Sequence, residues 1–343
     1  MKTADPKSFG RLSDGRHVRE HTLANTNGIV MRVLDYGGII RALDAPDRDG
    51  QSGDIVLGFD NSEQYEERHT NFGALVGRVA GRINRGRFSI GDTEFRLPVN
   101  EPPNHLHGGH VGFDRVIWDP DRNGQPNMLI LRYASSDGEE GYPGTLDIKV
   151  TYHLTDEDEL IVNYHATTDA PTVVNLTQHS YFNLSGDPRK QVFDHELRVL
   201  SDSILELDQD SCPTGRVLDV SGSRFNLRQP GFVEAFDNYW VLPTAKQPDA
   251  PRLAAVLRHA QSGRVLEVST TAPGVQVYSG SALPAGLCGK KGHVYGPSSG
   301  ICLETQVHPD SPNHPGFPGI VLEPGEEFES TTVFRFLCEG KED

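Results

Sequence analysis

The amino-acid sequence predicts an all-β protein, a large antiparallel β-sandwich with few short helices, and three observations carry that expectation. Apolar and polar residues alternate with period two along much of the 343-residue chain, the mark of strands with one face buried. No segment sustains the 3.6-residue period of an amphipathic helix. Thirty-six glycines and 23 prolines punctuate the alternating runs at short intervals, as many tight turns require.

Taken in chain order, short strands are expected at residues 28–34 and 39–45. A helix of one or two turns is expected over 61–68, with Asn61 or Ser62 as its N-cap. Strands follow at 128–134 and 146–154, where Leu146, Ile148, Val150, Tyr152 and Leu154 alternate with polar neighbours. Further strands are expected at 160–167, 172–176, 193–199 and 203–207, then a short helical piece at 230–236. Residues 259–263 read as a hairpin turn between strands 253–258 and 265–268. A strand at 275–278 precedes a last one in which Thr332, Phe334 and Phe336 share a face. Segments 247–251 and 283–297 are expected to be loops. No repeat, low-complexity stretch or interdomain linker divides the chain, so 1–343 is expected to form a single domain.

Composition narrows the function. The hydrophobic fraction of 36% suffices for a sizeable core, and 48 acidic against 32 basic residues give a net charge of −16. Such a surface repels phosphate backbones and anionic lipid, so neither nucleic acid nor membrane is expected as a partner. The one basic cluster, Arg78, Arg82, Arg85 and Arg87, reads most simply as a strand with solvated arginines. The first 20 residues lack the apolar stretch of a signal peptide, and the four cysteines make no C-x-x-C pair. A cytoplasmic protein, monomeric or weakly dimeric, is the expectation.

Three segments place polar groups where an apolar strand would not. In Asn104–His110 three histidines adjoin two glycines. His105 and His107 would share one side of a strand, so a sugar-binding loop, a metal site and a braced turn all fit. In Asn175–Leu184 an apolar strand runs into a polar cluster containing His179, which fits either a functional group or a bracing network. In Gly300–Gln306, Glu304 interrupts an apolar strand. A buried carboxylate there needs a partner or a task, whereas an outward one on an edge strand would need neither. Asp237 and Gln276 are polar residues beside aromatic ones, Trp240 and Tyr278.

In order, these segments resemble the aldose 1-epimerase (galactose mutarotase) family from about Val18 to Phe336. The motifs are Phe72 to Ile83, Asn104 to Gly109 with Gly112-Phe113-Asp114, Asn175 to Leu184, Phe236-Asp237, Pro273 to Gln276, and Leu303 to Gln306. The resemblance implies a sandwich of the mutarotase type with its site in a cleft on one sheet. It implies Glu304 as general base and His179 as general acid, with His107 near the ring-oxygen side and Arg82, Asp237 and Gln276 holding sugar hydroxyls. Gly81 stands where many family members have asparagine, which bears on the sugar contacts.

An isomerase of this kind interconverts the α and β anomers of free aldohexoses such as galactose or glucose. Ring opening needs a base at the C1 hydroxyl and an acid at the ring oxygen, with no cofactor and no metal. A carboxylate beside His179 would be expected to raise its pKa and keep it charged. Two rival readings remain at this level: a glycoside hydrolase or lyase pairing Glu304 with Asp237, and a sugar-binding module without catalysis.

Overall fold

The computed structural model describes residues 5–68, 70–122, 124–245, 247 and 249–340. The expectations for the extreme termini and for Pro248 in the 247–251 loop lie in part outside the described residues.

A nine-stranded antiparallel sheet forms one layer. Its centre is the run Met128–Ser135, Leu146–Leu154, Glu159–Thr168, Phe328–Cys338, Arg264–Thr270 and Arg252–Arg258, each bonded to the next. Alternation along Leu146–Leu154 buries Leu146, Ile148, Val150, Tyr152 and Leu154, as the sequence pattern requires. On Phe328–Cys338 the buried face carries Thr332, Phe334 and Phe336. The opposing layer is not one continuous ladder. It comprises a five-stranded sheet of residues 7–54 and a second of Pro213–Asp219, Ser203–Leu207, Asp237–Val241, Gly274–Tyr278 and Cys302–Gln306. Phe182 stitches the layer together, bridging to Val56 on one side and to Ile301 on the other. All three sheets contribute to one buried apolar cluster, including Met31, Val150, Leu266, Trp240 and Leu303. Burial on this scale, at roughly 25 cal/mol per Å² of apolar surface, is what pins the layers together.

The single α-helix among the described residues is Ser62–Glu67. Asn61 caps it by accepting the Gln64 backbone N–H at 2.9 Å, which selects between the two expected caps. Three expectations are corrected. Residues 230–236 hold no helical turn: Gly231–Phe232 is an edge strand paired to Glu196 and Leu197, so sheet pairing outweighs local preference. The strand expected at 193–199 begins only at Glu196, after a 3₁₀ turn at Val192–Asp194. The 283–297 loop contains a short ladder, Leu287–Cys288 against Val294–Tyr295.

Candidate active site

The second five-stranded sheet divides its two faces by strict alternation. Trp240, Val275, Val277 and Leu303 point into the core. Register then places Tyr239, Gln276 and Glu304 in one cross-strand row on the other face, with Asp237, Tyr278 and Cys302 in the next. Gln306 follows two residues after Glu304 on the same strand. From this face Asp237, Gln276, Tyr278, Glu304 and Gln306 form the floor of a cleft of about 260 Å³, and Gly81, Arg82, Glu101, His107, His179 and Tyr181 line it as well. The volume lies near the low end for small-molecule sites, which begin at roughly 300 Å³.

Glu304 is buried on this floor rather than facing solvent from an edge strand, being only 2% exposed. Its Oε1 lies 3.5 Å from His179 Nε2, while its Oε2 has no hydrogen-bond partner among the described residues. Loss of water raises the Glu304 pKa to about 8, helped by the Asp237 charge and opposed by Arg82. His179 reaches the cleft from the end of Thr177–His179, which pairs with Ala74–Val76. Its ring stacks on Tyr181 at 5.0 Å and meets His107 edge-on at 5.4 Å.

Burial lowers the His179 pKa to about 4, which corrects the expectation of a histidine kept charged by its carboxylate neighbour. Desolvation outweighs the pairing because it disfavours both charges together, so the proton rests on the carboxyl. Between about pH 4 and about 8 the pair therefore holds one exchangeable proton.

The remaining residues named from sequence converge on the same cleft. His107 Nδ1 accepts the Gly81 N–H at 3.2 Å, and the His107 backbone N–H returns to the Gly81 carbonyl at 3.1 Å. Burial, with His179, Arg82 and His105 nearby, depresses the His107 pKa well below its usual value. A neutral ring with Nδ1 accepting carries its proton on Nε2, so His107 offers the cleft a donor. Arg82 is clamped by Glu101 through two bonds of 2.6 and 2.8 Å. Gln276 donates to Asp237 at 2.7 Å, on the solvent-exposed side of the floor. Gly81 has φ +79°, and a Cβ there would stand 3.0 Å from Pro309 Cβ and 3.3 Å from Gln306 Nε2.

His107, His179 and Glu304 are close enough together to hold a metal ion. The Gly81 N–H opposes that use, because it occupies His107 Nδ1 and leaves Nε2 protonated, with no free lone pair for an ion. The strand pairing of His105 with His107 also fails. The strand covers only His105–Leu106, and His105 is engaged by the Pro98 carbonyl and the Tyr142 hydroxyl, each at 2.7 Å.

The bracing readings hold for most of each polar cluster. Asn175 ties the Ala80 and Val307 carbonyls, Gln178 the Gly73 carbonyl and Asn183 the Ser299 carbonyl, leaving His179 to face the cleft. The expectation of solvated arginines fails for Arg78. It is 2% exposed and donates to the Pro143 and Gly144 carbonyls, Ser135 Oγ and Thr172 Oγ1. Arg82 lines the cleft, and only Arg85 and Arg87 are solvated.

Sequence reasoning missed Glu101, Tyr181, Cys302 and Gln306. Counting two residues either way from Glu304 would have found Cys302 and Gln306. No local pattern announces Glu101, whose role depends on a fold-made contact 19 residues from Arg82.

Fold and site together define a β-sandwich enzyme that sets an imidazole and a carboxyl side by side beneath a polar cleft. Comparison with known proteins agrees: the aldose 1-epimerase family pattern matches residues 19–335. The galactose mutarotase of Mus musculus is 45% identical over 96% of this chain and 97% of its own. The aldose 1-epimerase of Escherichia coli K12 is 33% identical over 95% and 97%. Among solved structures, an aldose epimerase homologue from C. elegans superimposes with a TM-score of 0.87 at 30% identity, covering 93% of this chain and 98% of its own. The galactose 1-epimerase of Lactobacillus acidophilus gives 0.83 at 27% identity over 98% and 99%. The chain belongs to the aldose 1-epimerase family, a family of isomerases.

Proposed function

We propose that the chain interconverts the α and β anomers of free aldohexoses such as galactose or glucose, with Glu304 and His179 as its acid–base pair. One observation carries the reading: Glu304 Oε1 and His179 Nε2 lie 3.5 Å apart, both buried, at the floor of the cleft. The C1 hydroxyl oxygen and the ring oxygen are bonded to the same carbon, so their acid and base must be near neighbours. Ionised Glu304 takes the hydroxyl proton while protonated His179 gives one to the ring oxygen. The ring opens, and the pair is left as carboxylic acid and neutral imidazole. Rotation about C1–C2 and the reverse transfers close the ring on the other face.

Burial already favours the proton arrangement of the open-chain stage, so neither arrangement is far from reach. His107, Arg82, Gln276 and Asp237 are assigned to the sugar's other oxygens. The reaction is read as needing no cofactor, and the protein as a cytoplasmic monomer or weak dimer with no nucleic-acid or membrane partner. Proton NMR of α-D-galactose and α-D-glucose should show faster anomeric equilibration with the protein present. An aryl galactoside in the same tube should stay intact. Cleavage of the aryl glycoside would instead support the hydrolase reading.

A further inference from the structure

The acid–base cycle uses one nitrogen of His179, Nε2. Its other nitrogen, Nδ1, lies 3.4 Å from the sulfur of Cys302, a buried thiol with no part in the proton transfers above. Cys302 sits two residues before Glu304 on the same strand face, so one alternation delivers both the carboxyl and this sulfur to opposite nitrogens of a single ring. Tyr181, stacked on the ring, holds its plane.

We propose that Cys302 is a positioning residue: its sulfur accepts the His179 Nδ1–H and keeps Nε2 as the nitrogen that cycles. The inference rests on the acid–base reading above. The bond a histidine makes at one nitrogen decides which nitrogen carries the proton in the neutral ring. When Glu304 holds the shared proton, the neutral ring must present an Nε2 lone pair to receive the ring-oxygen proton on closure. That requires the proton of the neutral ring to stay on Nδ1, where only an acceptor can face it. Burial, with the Asp237 carboxylate nearby, keeps Cys302 a thiol, so its sulfur is a neutral, weak acceptor. It fixes the tautomer without the strong upward pull that a carboxylate would exert on the imidazole.

The same geometry balances the step. Nε2 alternately loses and regains a proton, Glu304 does the opposite, and the Nδ1–H is retained throughout. The groups that face His179 from the surrounding elements are Glu304 and Cys302 from one strand, His107 from the opposing loop, and Tyr181 from its own segment. Asp237 and Arg82 bear on Glu304 from across the cleft. Among these, Cys302 is the contact at Nδ1.

The test is nitrogen-15 NMR of the His179 ring in the intact, sugar-free protein near pH 7, with Cys302→Ala and Cys302→Ser beside it. The wild type should show a neutral ring protonated on Nδ1. Cys302→Ala should lose that preference and lower kcat about three- to tenfold, the range for one ordinary hydrogen bond. It should also reshape the acid limb of the pH–rate profile. Cys302→Ser, whose hydroxyl also accepts, should restore the Nδ1–H form and most of the rate. A wild-type ring protonated on Nε2 would overturn the proposal without any variant. So would a Cys302→Ala protein with wild-type tautomer and pH profile. A wild type that fails to accelerate mutarotation would instead strike the acid–base reading, while the tautomer result stands on its own.

Discussion

Replacing Glu304 by glutamine should cost activity and change how stability depends on pH, and the two effects have one cause. Burial raises the folded-state pKa of Glu304 from 4.5 to about 8, so the folded protein holds this proton more tightly than the unfolded chain. The stability this group contributes is therefore complete below about pH 4.5 and is lost as pH rises through about 8. Each unit of difference is worth about 1.36 kcal/mol, so between about pH 5 and 7.5 the wild type should lose about 3 kcal/mol relative to a variant that cannot titrate there. Any fixed cost of burying the amide is the same at both pH values and cancels from that change.

Urea unfolding of wild type and Glu304→Gln at the two pH values reads the shift directly, with m-values checked for equality. Polarimetry on the same samples should show kcat reduced by at least about 10²-fold, the low end for removal of one acid or base. A stability difference that does not move with pH would refute the desolvated carboxyl. Near-normal kcat would refute its catalytic role.

With the pair holding one shared proton, kcat/KM should be bell-shaped, with limbs near the two values of about 4 and about 8 that belong to the pair; a rate still rising above pH 9 would contradict this. Glu101→Gln should loosen the clamp on Arg82 and raise KM about three- to tenfold while kcat changes less than about twofold, the pattern of lost uniform binding; an unchanged KM would remove Arg82 from the sugar site. Gly81→Asn places a side chain at positive φ against Pro309 and Gln306, so it should lower stability by roughly 1 kcal/mol without lowering KM. A lower KM at unchanged melting temperature would show a missing sugar contact instead. Dialysis against a strong chelator should leave activity intact, since His107 has no free lone pair for an ion; activity restored only by returning one metal would defeat that argument.

The architecture was legible where periodicity meets burial. The alternation at 146–154 and at Thr332, Phe334 and Phe336 reports a buried face directly, and strands followed. It was illegible where pairing decides, as at Gly231–Phe232, whose strand character comes from Glu196 and Leu197 alone. The site shows the same division. Glu304 announced itself as a carboxylate in an apolar strand, and its burial made that anomaly meaningful. His179 and His107 stood among neighbours that turned out to be braces, and composition cannot separate a brace from a cleft residue. The protonation state was hidden more deeply. Sequence supplies the carboxylate beside the histidine, but only the fold supplies the desolvation that moves the proton from one to the other.

If this cleft speeds the exchange of hexose anomers, polarimetry of freshly dissolved α-D-galactose will register it. The first-order rate of approach to equilibrium should rise in proportion to protein concentration, while the final rotation stays that of the sugar alone. A folded protein that binds galactose yet leaves that rate at the buffer value would be a sugar-binding module and not a mutarotase.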